Sequence, residues 1–505
     1  MKRRAATHPL LKRLTGPRAA LTSRGHSNED SDNDGDDDYD DRSLSFDELE
    51  RGSAVVAAAL ARRGLAKGER VAWVVRSSVD AVVVLVGCLR RGLVVVPVNP
   101  GYQEQELAHL LDDSGATLVV EDVGADGPCA PLAAVLGARP LTTTAALCAG
   151  EVADDISVDV DVDDEDLALL IYTSGTTGRS KGCAHTAGGL ARGIDALMSL
   201  WGVSDDDVIV HALPLFHVHG LCVALLGALL RGATTRLLPR FSAEAVVDAA
   251  ATGGTVFMSV PTMIHRLLGH LDARPVDGAV LGRLRLLSCG SAALSADHLV
   301  AFRDKTGLTI LERYGMSETL ITLSNPLHGA RKPGSVGRAV PGTSLRIVDD
   351  ELQVKTPGMM RGYWNRPDAD AEVFVDDGWF TTGDVVSVDD DGAVSIVGRA
   401  SQDILKVGGY KLSTREIEEQ LERHPAILEV AVVGEPDAEW GERVVAVVAL
   451  RKAPAGQPPF TLTLQDAQAA VHLHESKKPR RLVVVDALPR NALGKVQKPL
   501  VKALL

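Results

Sequence analysis

Cysteine is scarce and unpaired in this chain. Cys88, Cys129, Cys148, Cys183, Cys222 and Cys289 are scattered without paired spacing, so no disulfide framework is written into the sequence and reduced thiols in a reducing compartment are expected. Long apolar runs are also missing. The longest, such as Leu221 to Leu230, are too short and interrupted to span a bilayer, which argues against integral membrane contact. Positive charge is in deficit, with a formal net charge of -14. No folded segment shows the basic stripe that neutralising a phosphate backbone requires, so nucleic acid is not an expected partner. No solenoid-type internal repeat is present.

What remains is the composition of a soluble globular protein, 45% apolar and 24% charged. At 505 residues the chain exceeds what one hydrophobic core serves, so two or more domains are expected. Much of the negative charge is local. Residues 28–41 carry nine carboxylates and almost no apolar side chain, which predicts a disordered acidic insertion. Residues 1–27 are basic, with Lys2, Arg3, Arg4, Lys12, Arg13, Arg18 and Arg24. That composition suits an organellar transit peptide, while His8-Pro-Leu-Leu-Lys-Arg-Leu14 equally suits the first turn of a folded domain. A soluble intracellular protein is expected, mitochondrial or cytosolic.

The most informative stretch is Ile171-Tyr-Thr-Ser-Gly-Thr-Thr-Gly-Arg-Ser-Lys-Gly182, directly after the apolar Leu167-Ala-Leu-Leu170. Glycines let the backbone approach phosphate oxygens, backbone N–H groups and hydroxyls donate to them, and Lys181 adds a point charge. A Gly/Ser/Thr-rich surface turn is the plain alternative. The strand-like run entering the loop and the place of Lys181 favour a polyphosphate cradle. It is not a Walker loop, which needs Gly before its Lys and Ser or Thr after; Ser180 and Gly182 occupy those places.

Organisation follows the apolar pattern. Ser43-Leu-Ser-Phe-Asp-Glu-Leu-Glu50 opens a helix running to Arg63, with Gly64 as its stop. Arg70–Val75 reads as a buried strand, residues 81–91 as a helix ended by Gly92, and residues 93–98 as another strand. The same helix, Arg-Gly, strand order returns at Leu221 to Leu238. This alternation predicts α/β architecture, with two parallel-sheet subdomains in a large N-terminal domain over residues 42–399. From about Gly334 the texture becomes β-rich, with short strands at 344–348 and 351–355. Residues 400–505 read as a small independent α+β domain, where Ser413 and Glu416 have capping-box spacing and Leu428, Val430 and Val432 alternate.

Several other constellations carry chemistry. In Glu312-Arg-Tyr-Gly-Met-Ser-Glu-Thr319 an adenine can stack on Tyr314, and Glu318 offers a hard oxygen to a phosphate-bound Mg²⁺; a helix capped by Ser317 is the plain alternative. Trp379-Phe-Thr-Thr-Gly-Asp384 offers a carboxylate for ribose hydroxyls, or is simply a hairpin turn. His217 and His219, two apart, share a face if the chain there is extended. Lys495 sits in Leu488-Pro-Arg-Asn-Ala-Leu-Gly-Lys-Val-Gln-Lys498, on a turn that can deliver it to a distant anion.

These motifs, in this order, resemble the adenylate-forming superfamily of acyl-CoA synthetases, peptide-synthetase adenylation domains and luciferases, over residues 43–502. Within it the chain is most similar to malonyl-CoA synthetases, through Leu213-Pro-Leu-Phe-His-Val-His-Gly220, Val260-Pro-Thr-Met-Ile-His-Arg266, Glu312-Arg-Tyr-Gly-Met316, Ser324–Gly337 and Gly398–Ser413. The resemblance implies an AMP-forming acid–thiol ligase using ATP, Mg²⁺ and coenzyme A on a small carboxylic acid, malonate favoured. Thr173, Ser174, Gly175, Thr176, Thr177, Gly178 and Lys181 are then expected at the β- and γ-phosphates, with Thr173 and Glu318 as metal ligands. Gly290, Ser291 and Ala292 are expected at the adenine, Arg313, Tyr314, Gly315, Met316 and Ser317 along the nucleotide, and Asp384 with Arg399 at the ribose.

Lys495, Glu318 and Thr173 are the expected catalytic residues, Lys495 serving adenylate formation. Family members then rotate the small domain about a hinge, here near Ala400 and Ser401, and bring Gly408, Gly409 and Tyr410 to the site for thioester formation. Malonate keeps a second carboxylate that needs a partner if buried; Arg266, Arg331 and a His of the His217/His219 pair are the candidates, Arg266 foremost. Two departures stand out. Val348-Asp-Asp350 passes directly into Glu351, where relatives carry a longer Gly-rich turn, so this is either a short hairpin or a gene-model error. No aromatic precedes the basic stretch Lys477, Lys478, Arg480 and Arg481 that would attract CoA phosphates. Alternatives are a synthetase for another acid (methylmalonate, medium-chain or hydroxycinnamic), an adenylation enzyme for an unlinked carrier protein, and a nucleotide-binding pseudoenzyme.

Overall fold

The computed structural model describes residues 8–12, 14–23, 42–74, 76–122, 129–151, 159–173, 180–400, 403–407, 410–437, 440–453, 458–490 and 496–505. By internal contacts they divide into two compact units, one holding residues of 1–173, 180–344 and 355–374, the other those of 345–354 and 375–505. The β-rich residues from 375 onward thus group with the C-terminal residues, earlier than the 399/400 boundary read from the sequence.

The first unit is α/β, as the alternation predicts. One sheet runs, side by side, Gly362–Tyr363, Gly182–Thr186, Leu167–Tyr172, Val94–Val98, Arg70–Val74, Leu118–Glu121 and Leu141–Thr143. Its interior is parallel and the Gly182–Thr186 side antiparallel. The second sheet runs Ser335–Ala339, Leu320–Ser324, Leu311–Met316, Leu286–Cys289, Val256–Ser259, Val208–His211, Thr234–Leu237, Ala19–Ser23 and Arg42–Ser45, parallel from Leu311–Met316 through Ala19–Ser23. Helices such as Phe46–Arg62 and Val79–Arg90 bury their apolar faces in a core reaching from Trp73 to Phe302. Ser45 begins the first of these helices by a capping box with Glu48, which satisfies N–H groups left open at a helix start. Among the described residues no helix is long and apolar enough to cross a membrane.

The basic N-terminal segment is, from His8 onward, part of this unit. Leu10, Leu11 and Leu14 are buried, and Ala19–Ser23 lies between Thr234–Leu237 and Arg42–Ser45. Removing residues 8–23 would open the sheet and strip an apolar face from the core. The acidic run 28–41 lies outside the described residues, between these two antiparallel strands.

In the second unit Trp379–Val388 and Val394–Arg399 pair antiparallel, and Ile427–Asp437 pairs with Gly441–Leu450. The Ser413 capping box does not form: Ser413 Oγ donates to Val397 O at 2.7 Å, and Glu416 is drawn away by Lys477 at 2.5 Å. Leu428 does not share the buried face of Val430 and Val432. The register slips between Ile427 and Glu429, which turns Leu428 outward, to 54% exposure.

The abrupt Asp349-Asp350 junction is a two-residue hairpin. Both residues have positive φ, 53° and 72°, as a type I′ turn requires, and Val386 N donates to Asp350 O. An aspartate pair tolerates this region less well than an asparagine followed by glycine. The double substitution Asp349→Asn with Asp350→Gly is therefore expected to stabilise the second unit by roughly 1 kcal/mol, read as a raised chemical-unfolding midpoint; a lowered midpoint would contradict the turn assignment.

Candidate active site

The glycine-rich loop springs from two antiparallel strands, Leu167–Tyr172 and Gly182–Thr186. Its base is closed by Thr173 N donating to Lys181 O at 2.9 Å. Helix Glu104–Ser114 grips both stems: Tyr172 OH donates to Asp113 Oδ2 at 2.6 Å, and His109 Nε2 donates to Ser180 O at 2.8 Å. Ser174, Gly175, Thr176, Thr177 and Gly178 lie outside the described residues. Lys181 Nζ stands 4.4 Å from the centroid of the Tyr363 ring.

Residues 311–324 form a β-hairpin, not a helix start. Leu311–Met316 pairs with Leu320–Ser324, and the turn needs Gly315, where a Cβ would lie 2.0 Å from Leu320 O. Glu318 occupies this turn. Its Oε1 accepts from Tyr363 OH at 2.9 Å, its backbone oxygen accepts from Met360 N, and Ser317 O accepts from His185 Nε2 at 2.7 Å. Because a carbonyl only accepts, His185 carries its proton on Nε2. Burial lowers its pKa to about 4, so it is a neutral strut.

At the carboxyl ends of the parallel strands, where open α/β sheets bind ligands, lies a cluster of unusual polarity. Arg313 is buried, and its Nε and Nη2 have no hydrogen-bond partner among the described residues. Burial lowers its pKa to about 10, which leaves it cationic at neutral pH. It fits only because residue 290 is glycine: a Cβ there would meet its Cζ at 2.5 Å. Ser291 follows at φ 70°, with its hydroxyl 3.5 Å from His219 Nδ1. Burial, then the Arg313 charge, hold His219 well below the ordinary histidine range, and burial lowers His217 to about 4. The two histidines do not share the face of an extended chain. His219 begins a π-helical stretch, His219–Leu226, and His217 packs edge-on against Phe216.

The other candidate partners for a carboxylate fare differently. Arg331 is spent on structure: its guanidinium donates to the backbone oxygens of Thr309, Pro326 and Leu327, which removes it as an anion receptor. Arg266 is exposed on helix Pro261–Ala273 and makes no ion pair with the described residues.

In the second unit Asp384 and Arg399 face each other across the ladder, with Arg399 Nε 2.9 Å from Asp384 Oδ1. Gly383-Asp384 is thus strand interior, not a hairpin turn. Lys495 lies outside the described residues, as do Gly408, Gly409 and the side chain of Tyr410. The chain flanking 491–495 is fastened by the Arg490↔Val496 bridge and by Gln497 N donating to Pro489 O. The basic stretch is largely engaged: Lys477 with Glu416, Lys478 with Glu475, Arg481 with Glu435. Arg480 stacks on Trp440 at 4.4 Å.

Glu318 and Thr173 offer the oxygen donor types that a hard cation carried by phosphates takes, since Mg²⁺ uses one or two protein oxygens and keeps phosphate and water for the rest. No cluster of three or more His, Cys, Asp or Glu suited to a metal occurs among the described residues. The AMP-binding enzyme family model matches residues 28–364, and that of the AMP-binding enzyme C-terminal domain matches 416–495. The chain belongs to the AMP-binding enzyme family. Among similar family members is a malonate–CoA ligase of Arabidopsis thaliana, 36% identical over 88% of this chain and 79% of its own. The crystal structure of ATP-bound MatB from Rhodopseudomonas palustris superposes with a TM-score of 0.86 at 33% identity, over 99% of each chain. A malonyl-CoA ligase complex with methylmalonyl-CoA and AMP gives a TM-score of 0.68 at 38% identity, over 96% of this chain and 100% of that one.

The neutral buried histidines predict a pH dependence in this AMP-binding enzyme. His8, His185 and His217 are each lowered to about 4 by burial, so the unfolded chain binds protons below about pH 6.5 that the folded chain refuses. Stability is full above that pH and falls as pH drops toward 4, by at most roughly 1.4 kcal/mol per pH unit per group. The urea midpoint at pH 5 should lie below that at pH 7.5, with a smaller drop in His185→Gln; equal midpoints would contradict the buried neutral assignment.

Proposed function

We propose that this chain is an ATP-dependent malonate–CoA ligase, forming malonyl-CoA through a malonyl-adenylate with release of pyrophosphate and AMP. The observation that carries the substrate reading is the buried cationic guanidinium of Arg313, whose Nε and Nη2 find no partner among the described residues. An uncompensated buried charge costs several kcal/mol, and a diacid brings the compensation: one carboxylate reacts while the other meets the guanidinium. Malonate is short enough to do both, and a methyl branch is only weakly discriminated. The malonate–CoA ligase and the malonyl-CoA ligase bound to methylmalonyl-CoA and AMP among the relatives support the same reading.

In the first step one malonate oxygen attacks the α-phosphorus of ATP. The new P–O bond forms as the bond to the β-phosphate oxygen breaks, and pyrophosphate leaves. The CoA sulfur then attacks the acyl carbon; the C–S bond forms, the C–O bond to AMP breaks, and the thiol proton passes to solvent. Thr173, the loop 174–178 and Lys181 would hold the departing β- and γ-phosphates, Gly290 to Ala292 the adenine, and Asp384 with Arg399 the ribose. Thr173 and Glu318 would hold Mg²⁺, which when bound neutralises charge on the transferring phosphoryl group. Lys495 would add the remaining positive charge in the first step, while Gly408, Gly409 and Tyr410 would serve the second. Arg313 thereby takes the substrate role, ahead of Arg266.

Arg313→Met should lower kcat/KM for malonate about 10³-fold, the scale of losing one partner of a buried charge pair, and spare a monocarboxylate such as butyrate. Its unfolding midpoint should be unchanged or raised, because a buried charge is gone. An equal loss for both acids would contradict the assignment. Lys495→Ala should abolish adenylate formation, measured by pyrophosphate release, yet leave thioester formation from supplied malonyl-AMP largely intact; equal loss of both steps would refute its role.

A further inference from the structure

Tyr363 was not singled out by any motif, yet it touches both charged elements of the phosphate-binding region. It lies on the two-residue strand Gly362–Tyr363, paired with Gly182–Thr186 through Cys183, immediately beyond the glycine-rich loop. Its backbone N donates to Asp370 Oδ1 at 2.7 Å, and the next residue, Trp364, donates its N–H to Gly182 O at 2.7 Å. The ring is therefore fixed from behind and 7% exposed. Its face carries Lys181 Nζ at 4.4 Å, and its hydroxyl donates to Glu318 Oε1 at 2.9 Å.

We propose that Tyr363 is a positioning residue of the nucleotide site, a neutral spacer that holds Lys181 and Glu318 apart so that each is available to the magnesium–ATP complex. An ammonium and a carboxylate brought to one half-buried cleft attract one another strongly, and their pair would have to break before phosphate and metal could bind. Among the described residues neither forms an ion pair. Tyr363 gives each a weaker, directional partner instead: the π face for the ammonium and a charge-assisted hydrogen bond for the carboxylate. A phenol is neutral near pH 7, so it remains a donor and adds no charge of its own. The spacer role rests on the reading of the chain as an ATP-dependent ligase.

The test is calorimetric titration of ATP, with and without Mg²⁺, into the full chain and variants whose unfolding midpoints are checked in parallel. Tyr363→Phe keeps the ring and loses the hydroxyl. It should leave metal-free ATP binding within about twofold and raise the Mg²⁺ concentration for half-maximal ATP binding about tenfold, the scale of a hydrogen bond to a charged group. Tyr363→Leu should also weaken metal-free ATP binding about tenfold, because Glu318 captures Lys181, and adding Glu318→Gln should restore it. Unshifted Mg²⁺ dependence in Tyr363→Phe, or no restoration by Glu318→Gln, overturns the spacer role while ATP binding by the unsubstituted protein stands. If Tyr363→Leu does not fold, the Mg²⁺ dependence of Tyr363→Phe decides. No ATP binding by the unsubstituted protein overturns the ligase reading and the spacer role together.

Discussion

The first unit is organised around a positive charge kept out of water. Arg313 reaches the carboxyl edge of the parallel sheet from the strand Leu311–Met316, and its guanidinium lies where any side chain at position 290 would have to be. Desolvating a guanidinium without a counter-ion is among the least favourable things a core can do. Its neighbours bring no compensating charge: burial keeps His217 neutral, burial and then the Arg313 charge keep His219 neutral, and no described carboxylate pairs with the cation. A site so built favours an anionic ligand over an apolar one, since a medium-chain or aromatic acid would leave the guanidinium bare.

A different arrangement surrounds Tyr363. There Lys181, just before a strand, and Glu318, in a turn, are opposite in sign, each held by a backbone hydrogen bond, and meet on one tyrosine. The hairpin that carries Glu318 is the same one that carries Arg313, and His185 and Met360 pin its turn. One β-hairpin thus carries both a buried cation and a carboxylate. Small displacements of reacting groups are costly in rate, and sharing a hairpin limits such displacements.

Much of this was legible in the sequence. The helix, Arg-Gly, strand alternation pointed to the α/β sheets because apolar periodicity reports burial directly, whereas the glycine/threonine loop, read as a phosphate cradle from its residue types, lies at 174–179 outside the described residues. Legibility failed where a partner lay far off in the chain. Arg331 looked like an anion receptor until three backbone carbonyls claimed it, and Ser413 lost its capping role to Val397. Arg313 sat inside a recognised motif, but only burial against Gly290 revealed that it lacks a counter-ion. Tyr363 gave no local signal, since its two contacts come from residues 181 and 318. The Asp349-Asp350 junction was readable as a hairpin once positive φ at both positions was seen.

The central claim, a buried cation matched to the second carboxylate of a short diacid, is tested most directly by steady-state pyrophosphate release from the unsubstituted protein with ATP, Mg²⁺ and CoA, comparing malonate with propionate. The account predicts that kcat/KM for malonate exceeds that for propionate by about 10³-fold or more, because propionate leaves the guanidinium unpaired. Equal or better use of propionate would contradict it.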